Sequence, residues 1–202
     1  MDRRTLIVSG LVTLGTPTLA QSQPAPQPGQ APGAPASTGS PTKTYERDEI
    51  VTGVSDFLGV TAEAAGAAVE RLFARNGKPT GYIAGEEGSG AIVVGARYGR
   101  GLLYMKDKPP MEVFWQGPSA GWDFGANASR VFTLCYDLQV PETILQRFPG
   151  VEGSAYFIGG LGVNYQRANG VTLAPIRAGV GLRLGANVGY LSYSRKRHVW
   201  PF

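Results

Sequence analysis

The residues with the most chemical promise in this 202-residue chain are a serine, an aspartate and its single histidine. Gly117-Pro118-Ser119-Ala120-Gly121 matches the Gly-x-Ser-x-Gly nucleophile elbow, and Ser119, Asp137 and His198 come in the chain order of the α/β-hydrolases. In that chemistry a sharp strand-to-helix turn projects the serine hydroxyl towards an imidazole, which takes its proton. The residues beyond the motif argue against it. Trp122 to Ser129 alternates like a strand, no repeated strand–helix units surround it, and His198 stands beside Arg197, four residues from the last residue, Phe202. The pentapeptide reads as a turn between strands, and no catalytic residue is assigned.

Metal and phosphate chemistry find no better support. One histidine and one cysteine cannot build a zinc set. Glu86-Glu87 ahead of Gly88-Ser89-Gly90, and Asp107 between Lys106 and Lys108, lack the ligand spacing of a calcium loop and read as solvated turn carboxylates. The glycine run Gly95 to Gly101 lacks the Lys-Ser/Thr ending of a phosphate loop and opens no helix. No cofactor is expected. Cys135 lies in the apolar run Val131 to Tyr136, so the lone thiol is expected to be buried and inert, and no internal disulfide can form.

The basic residues carry more. Arg97 and Arg100, three apart in a strand, point to opposite faces unless a bulge at Gly99 realigns them. Brought to one mouth of a barrel with Arg183 or with Arg195, Lys196 and Arg197, they would bind an anionic ligand. The competing reading is surface pairing with Glu86, Glu87 or Asp107, worth ~0–1 kcal/mol each. Residues 151–202 hold 6 Lys/Arg against Glu152 alone, whereas residues 46–150 hold 10 Lys/Arg against 13 Asp/Glu. A basic, aromatic end of this kind suits an anionic lipid surface or an acidic polysaccharide. Trp115, Trp122, Tyr98 and Tyr104 read as core aromatics in preference to a sugar-stacking surface, because such rings bury so much area.

These side chains need elements to place them. Ile50, Val51, Val54, Phe57 and Leu58 share one helical face ending near Gly59. A second helix starts after Thr61, a good N-cap, and closes at Asn76-Gly77. After Pro79 the texture becomes strand-like, with glycine-rich breaks. Strands are predicted near 80–85, 90–97, 100–106, 111–116, 120–127, 129–137, 153–165, 170–176 and 178–193, with one short helix over 143–148. Arg167 to Gly170 supplies a hairpin turn, and residues 178–193 keep a two-residue rhythm. Glycines within strands permit sharp coiling, which suits a small curved barrel. The fold class expected is mainly β (α+β), a glycine-rich β-barrel-like domain preceded by a short helical hairpin.

The first 45 residues speak to location. A basic start, Met1 to Arg4, precedes a mostly apolar run from Thr5 to Leu19, and small residues near Ala20 suit a signal peptidase. Residues 1–20 are expected to be a cleaved secretory leader, by the general or the twin-arginine route. Residues 21–45 form a Pro/Gln-rich tether, and 46–202, 157 residues, form one domain.

The block Gly90 to Tyr104, continuing through Phe114-Trp115 to Ser119 to Arg130, resembles the family of Gram-negative envelope proteins typified by envelope integrity protein A. The resemblance covers roughly 46–202. It implies a periplasmic, β-barrel-like domain needed for resistance to envelope stress, and the family offers no catalytic residue to carry over. Residues 81–138 are more distantly similar to the SYLF lipid-binding domain, which implies contact with anionic lipid. The expected protein is thus a non-enzymatic periplasmic envelope-integrity factor, with an anionic lipid, an envelope polysaccharide or an envelope protein as partner. Peripheral membrane contact fits this expectation and nucleic acid does not. An integral outer-membrane barrel is the alternative, favoured by the rhythm of 178–193 and by Phe202; a serine hydrolase is a distant third.

Overall fold

The two amphipathic segments fold as α1 (Arg47–Leu58) and α2 (Ala62–Asn76). Local chemistry sets their ends. Glu46 and Glu49 form a reciprocal capping box at the start of α1, and the Thr61 hydroxyl accepts the Ala64 N–H at 3.3 Å at the start of α2. Ile50, Val54, Leu58, Ala65, Val69 and Leu72 form the buried stripe that the helical spacing predicts.

The computed structural model describes residues 42–123, 129–178 and 189–197, with side chains outside 89–95 and 119–123. The leader 1–20, most of the tether, Arg183, His198 and the rhythmic segment 179–188 lie outside the described residues. The strands are β1 (Gly81–Met105), β2 (Met111–Asp123), β3 (Ser129–Tyr136), β4 (Arg147–Pro149), β5 (Tyr156–Ile158), β6 (Leu161–Val163), β7 (Gln166–Ala168), β8 (Val171–Ala178) and β9 (Tyr190–Ser194). All pairings are antiparallel, in the order β4-β9-β2-β1-β3-β8-β6-β5. The far edge of β8 is shared: β6 pairs with its end and β7 with its beginning. A single bridge between Gly150 and Gln166 joins β4 to β7 and closes the ring, while β6 and β5 flare away beneath α2. This is the expected barrel-like domain behind a helical hairpin.

Two cores result, one on each face of the sheet. Helix α1 lies on β3 and α2 on β5 and β6, and Phe132, Leu134, Tyr136, Leu161, Val163 and Ile176 meet the helices. Ile83, Leu103, Val113, Cys135, Phe148, Leu173 and Tyr193 fill the barrel interior. Burial on both faces explains why Val131 to Tyr136 reads as an unbroken apolar run.

Several boundaries differ from expectation for identifiable reasons. The three strands expected between 80 and 106 are one strand of 25 residues. Its glycines do not break it. They let its first half return alongside its second: a Cβ on Gly101 would stand 2.6 Å from the Ala84 carbonyl oxygen and 2.8 Å from the Gly85 Cα. Residues 117–121, read as a turn, lie inside β2, with Ser119 opposite Gly95. The helix expected over 143–148 is a single 3₁₀ turn, Pro141–Ile144, after which buried Phe148 pairs with Leu191 in the sheet. The segment 153–165 breaks into β5 and β6 at Gly159-Gly160. The hairpin turn at Asn169-Gly170 is as expected, with both residues at positive φ.

Candidate functional site: a cationic, aromatic cleft

Strand parity sorts the chemistry. In β1 the odd positions Ile83, Gly85 and Glu87, and later Leu103 and Met105, belong to the barrel interior. Register runs without a bulge through Arg97↔Gly117, Gly99↔Trp115 and Arg100↔Phe114. Arg97 therefore points inward and Arg100 outward. The realignment at Gly99 that would have joined them does not occur.

Inside, Glu87 is 5 % exposed, a buried carboxylate and not the solvated turn carboxylate expected from its neighbours in sequence. Arg177 Nε donates to its Oε1 at 2.6 Å and Arg177 Nη2 to its Oε2 at 3.2 Å, a bidentate fork. Trp115 Nε1 donates to the same Oε2 at 3.1 Å, and Arg97 Nε lies 3.7 Å from Oε1. Arg177 Nη1 also donates to Asn164 Oδ1 at 2.8 Å. Burial opposes the charge on Glu87, but the guanidinium groups of Arg177 and Arg97 and the hydrogen bonds outweigh it and bring its pKa down to about 2. This network fixes the Trp115 indole in the sheet. A Cβ on Gly99 would come within 2.1 Å of that ring, so the indole fills the space a side chain there would take.

Above this floor opens a cleft of about 270 Å³. Tyr98, Arg100, Phe114 and Gln116 line it from two adjacent strands, with Glu86 and Arg197 at its rim. Tyr98 stands opposite Gln116 and Arg100 opposite Phe114, which makes a two-by-two grid on the outer face of the sheet. The same rows run on into β9 and β4, where Gln116 faces Ser192, Ser192 faces Arg147 and Phe114 faces Ser194. The Arg147 guanidinium lies 3.9 Å above the Tyr190 ring. The helices pack on β3, β5 and β6.

The six basic residues singled out from the sequence thus separate. Arg100 and Arg197 meet at the cleft, and neither has a carboxylate partner among the described residues. Arg97 is committed to the buried network, the pairing with Glu87 that the sequence offered as the competing reading. Arg195 pairs with Glu142 at 2.7 Å, Lys196 is exposed, and Arg183 lies outside the described residues. Trp115 is the core aromatic expected, at 3 % exposure, and Tyr104 stacks on Tyr82 with centroids 5.0 Å apart, but Tyr98 lines the cleft. Sequence reasoning missed Glu87, Arg177 and Gln116. Parity along β1 and β8 was the one available signal.

The nucleophile elbow is absent as geometry. Ser119 lies inside β2, which continues as strand to Asp123 where the elbow would turn into a helix, and His198 lies outside the described residues. Among the described residues no cluster of three or more His, Cys, Asp or Glu could hold a metal ion. No helix of the described residues is long and apolar enough to cross a membrane.

Comparison with known proteins adds a family and a fold. A family model described as Envelope integrity protein A matches residues 43–202. A crystal structure of a beta-barrel-like, uncharacterized protein from Brucella abortus is 46 % identical, covering 79 % of this chain and 99 % of that one, with a TM-score of 0.72. No curated protein matches the chain.

Proposed function

The chain belongs to the envelope integrity protein A family, and from that premise we propose that it is a non-enzymatic periplasmic protein that supports the cell envelope by binding one of its components at the cleft above Trp115. Family membership assigns an envelope-related role. The finer reading is carried by one observation: Arg100 and Arg197 converge on an aromatic-lined cleft without carboxylate partners among the described residues. Cations left unneutralised beside half-buried aromatic rings suit a ligand with an anionic group and a flat apolar face. An anionic lipid, an envelope polysaccharide and an envelope protein all carry such groups. The basic start, the apolar run and the small residues near Ala20 support export through a leader over 1–20, and the composition of 21–45 supports a tether.

Two features weigh against an integral outer-membrane barrel. The outward residues of β3, β6 and β8 meet helices in place of lipid, and the described interior is packed with apolar side chains around one paired charge network where a pore would be open and polar.

Complementation tests the reading. Cells lacking the gene are supplied with the wild-type chain or with Arg100→Glu, and survival is scored under detergent and under a cell-wall antibiotic. The charge-reversed chain should accumulate to wild-type levels yet protect no better than an empty vector. Full protection by Arg100→Glu removes the cleft from the function.

A further inference from the structure

We infer that the helical side of the domain carries a second anion site, apart from the cleft, in which Arg71 and Arg75 of α2 grip a phosphoryl group between them. The seating of the two side chains, their unspent donors and the count of guanidinium forks lead to this class of ligand.

Arg71 and Arg75 are four residues apart in α2, so they share one side of the helix, with about 5–6 Å between their Cβ atoms. The Arg71 guanidinium lies 4.5 Å from the centroid of the Tyr156 ring, and that of Arg75 lies 5.6 Å from the centroid of the Tyr165 ring. Those rings are neighbours, with centroids 6.3 Å apart. Tyr165 is buried, and its hydroxyl accepts a hydrogen bond from Asn76 Nδ2 at 3.1 Å, which fixes the platform under the arginines. A free arginine on a surface loses much rotamer freedom when it binds; these two are seated on rings before any ligand arrives.

Their donors are unspent. Both side chains are exposed, and neither guanidinium makes a hydrogen bond or an ion pair with any described residue. The acids closest along the chain do not neutralise them. Glu70 reaches Arg47 at 3.9 Å, and Glu152, ahead of Tyr156, pairs with neither arginine. The negative end of α2 is occupied as well: Asn76 Nδ2 donates to the Leu72 carbonyl at 3.2 Å and the Gly77 N–H to the Phe73 carbonyl at 2.9 Å. Two like charges one turn apart repel, and an anion shared between them removes that repulsion.

The pair of forks selects the ligand. A planar carboxylate is satisfied by one guanidinium, whereas the tetrahedral oxygens of a phosphoryl group accept from two at once. A lipid headgroup and a soluble phosphate present the same group, and the experiment separates them.

The full chain, labelled so that the Nε–Hε signals of its arginines are resolved, is titrated with inorganic phosphate and with acetate at constant ionic strength. Phosphate should shift the Arg71 and Arg75 signals and bind at least about tenfold tighter than acetate. Arg71→Lys and Arg75→Lys together keep both charges but lose both forks, and should abolish that preference. The two side chains are exposed, so this variant keeps the fold, and a retained cooperative thermal transition checks it. Co-sedimentation with vesicles of phosphatidylglycerol in phosphatidylcholine, but not of phosphatidylcholine alone, that the same variant loses assigns the group to a lipid headgroup. Phosphate binding without co-sedimentation assigns it to a soluble phosphate. Acetate binding as tightly as phosphate, undiminished binding by the double lysine variant, or no response of the two arginines to phosphate or vesicles overturns the inference.

Discussion

Glu87 shows how far a residue's setting can depart from its neighbourhood in sequence. Flanked by Glu86 and Gly88, it looks like a turn carboxylate, yet it is buried among Arg177, Arg97 and Trp115. Its folded pKa, about 2, lies below the ordinary 4.5, so its ionised form contributes stability above pH 4.5 that is lost as pH falls towards 2. Urea denaturation between pH 7 and pH 2 should show this loss, on the order of 3 kcal/mol for the shift involved. Glu87→Gln should flatten that part of the profile and cost about 3–5 kcal/mol at neutral pH, because two guanidinium groups are left buried without their carboxylate. Cys135 makes the opposite case, a residue whose fate its neighbours do announce. It is buried in the barrel interior, and burial pushes its thiol pKa up. A disulfide reagent should leave the native thiol unmodified and react with it once the chain is unfolded in guanidinium chloride.

At the scale of elements, the helices obey local rules and the strands do not. Helix α2 begins where Thr61 caps it, and Thr61→Ala should lower stability by about 1 kcal/mol, read from the shift in the urea midpoint. Strand β1 is the harder case, because its glycines look alike in sequence and differ in space. Gly101 abuts the Ala84 carbonyl and the Gly85 Cα, whereas an added Cβ at Gly88 meets nothing within 4 Å. Gly101→Ala should therefore destabilise the chain by at least about 1–3 kcal/mol, and Gly88→Ala should be neutral or stabilise it by a few tenths. Equal effects in thermal melts would show that the two halves of β1 do not pack as described. The same contrast explains the break expected between the strands 90–97 and 100–106: a glycine that loosens an isolated strand is here required by the return of that strand along itself.

For the whole molecule, the decisive feature is a barrel filled by its own side chains and covered by helices on part of its outside. A carrier barrel would keep a dry cavity for its cargo. This one has Phe148, Tyr193, Leu103 and Leu173 in that place, so a fluorescent long-chain fatty acid should show no rise in emission with the native protein. The contact proposed for the cleft on β1 and β2 would be made through cations and therefore weakened by salt. In fractionated cells, high salt should release any membrane-associated chain without detergent. Retention in the outer membrane until detergent is added would point to the integral barrel.

The helical hairpin, the barrel-like class, the buried cysteine and the family were legible in the chain alone, because each rests on short-range pattern: a 3.6-residue stripe with caps, glycine-punctuated β runs, an apolar hexapeptide and a recognisable block. Which charges act together was settled only in three dimensions. Arg97 and Arg100 are three positions apart and face opposite sides of one strand, while Glu87 and Arg177 are ninety apart and form a bidentate pair. The grid of Tyr98, Arg100, Phe114 and Gln116 exists only through the register of β1 on β2, and a slip of one residue would turn every one of those side chains to the other face. Periodicity tells which residues share a face; only closure of the sheet tells which faces meet, and the cleft is made where they meet.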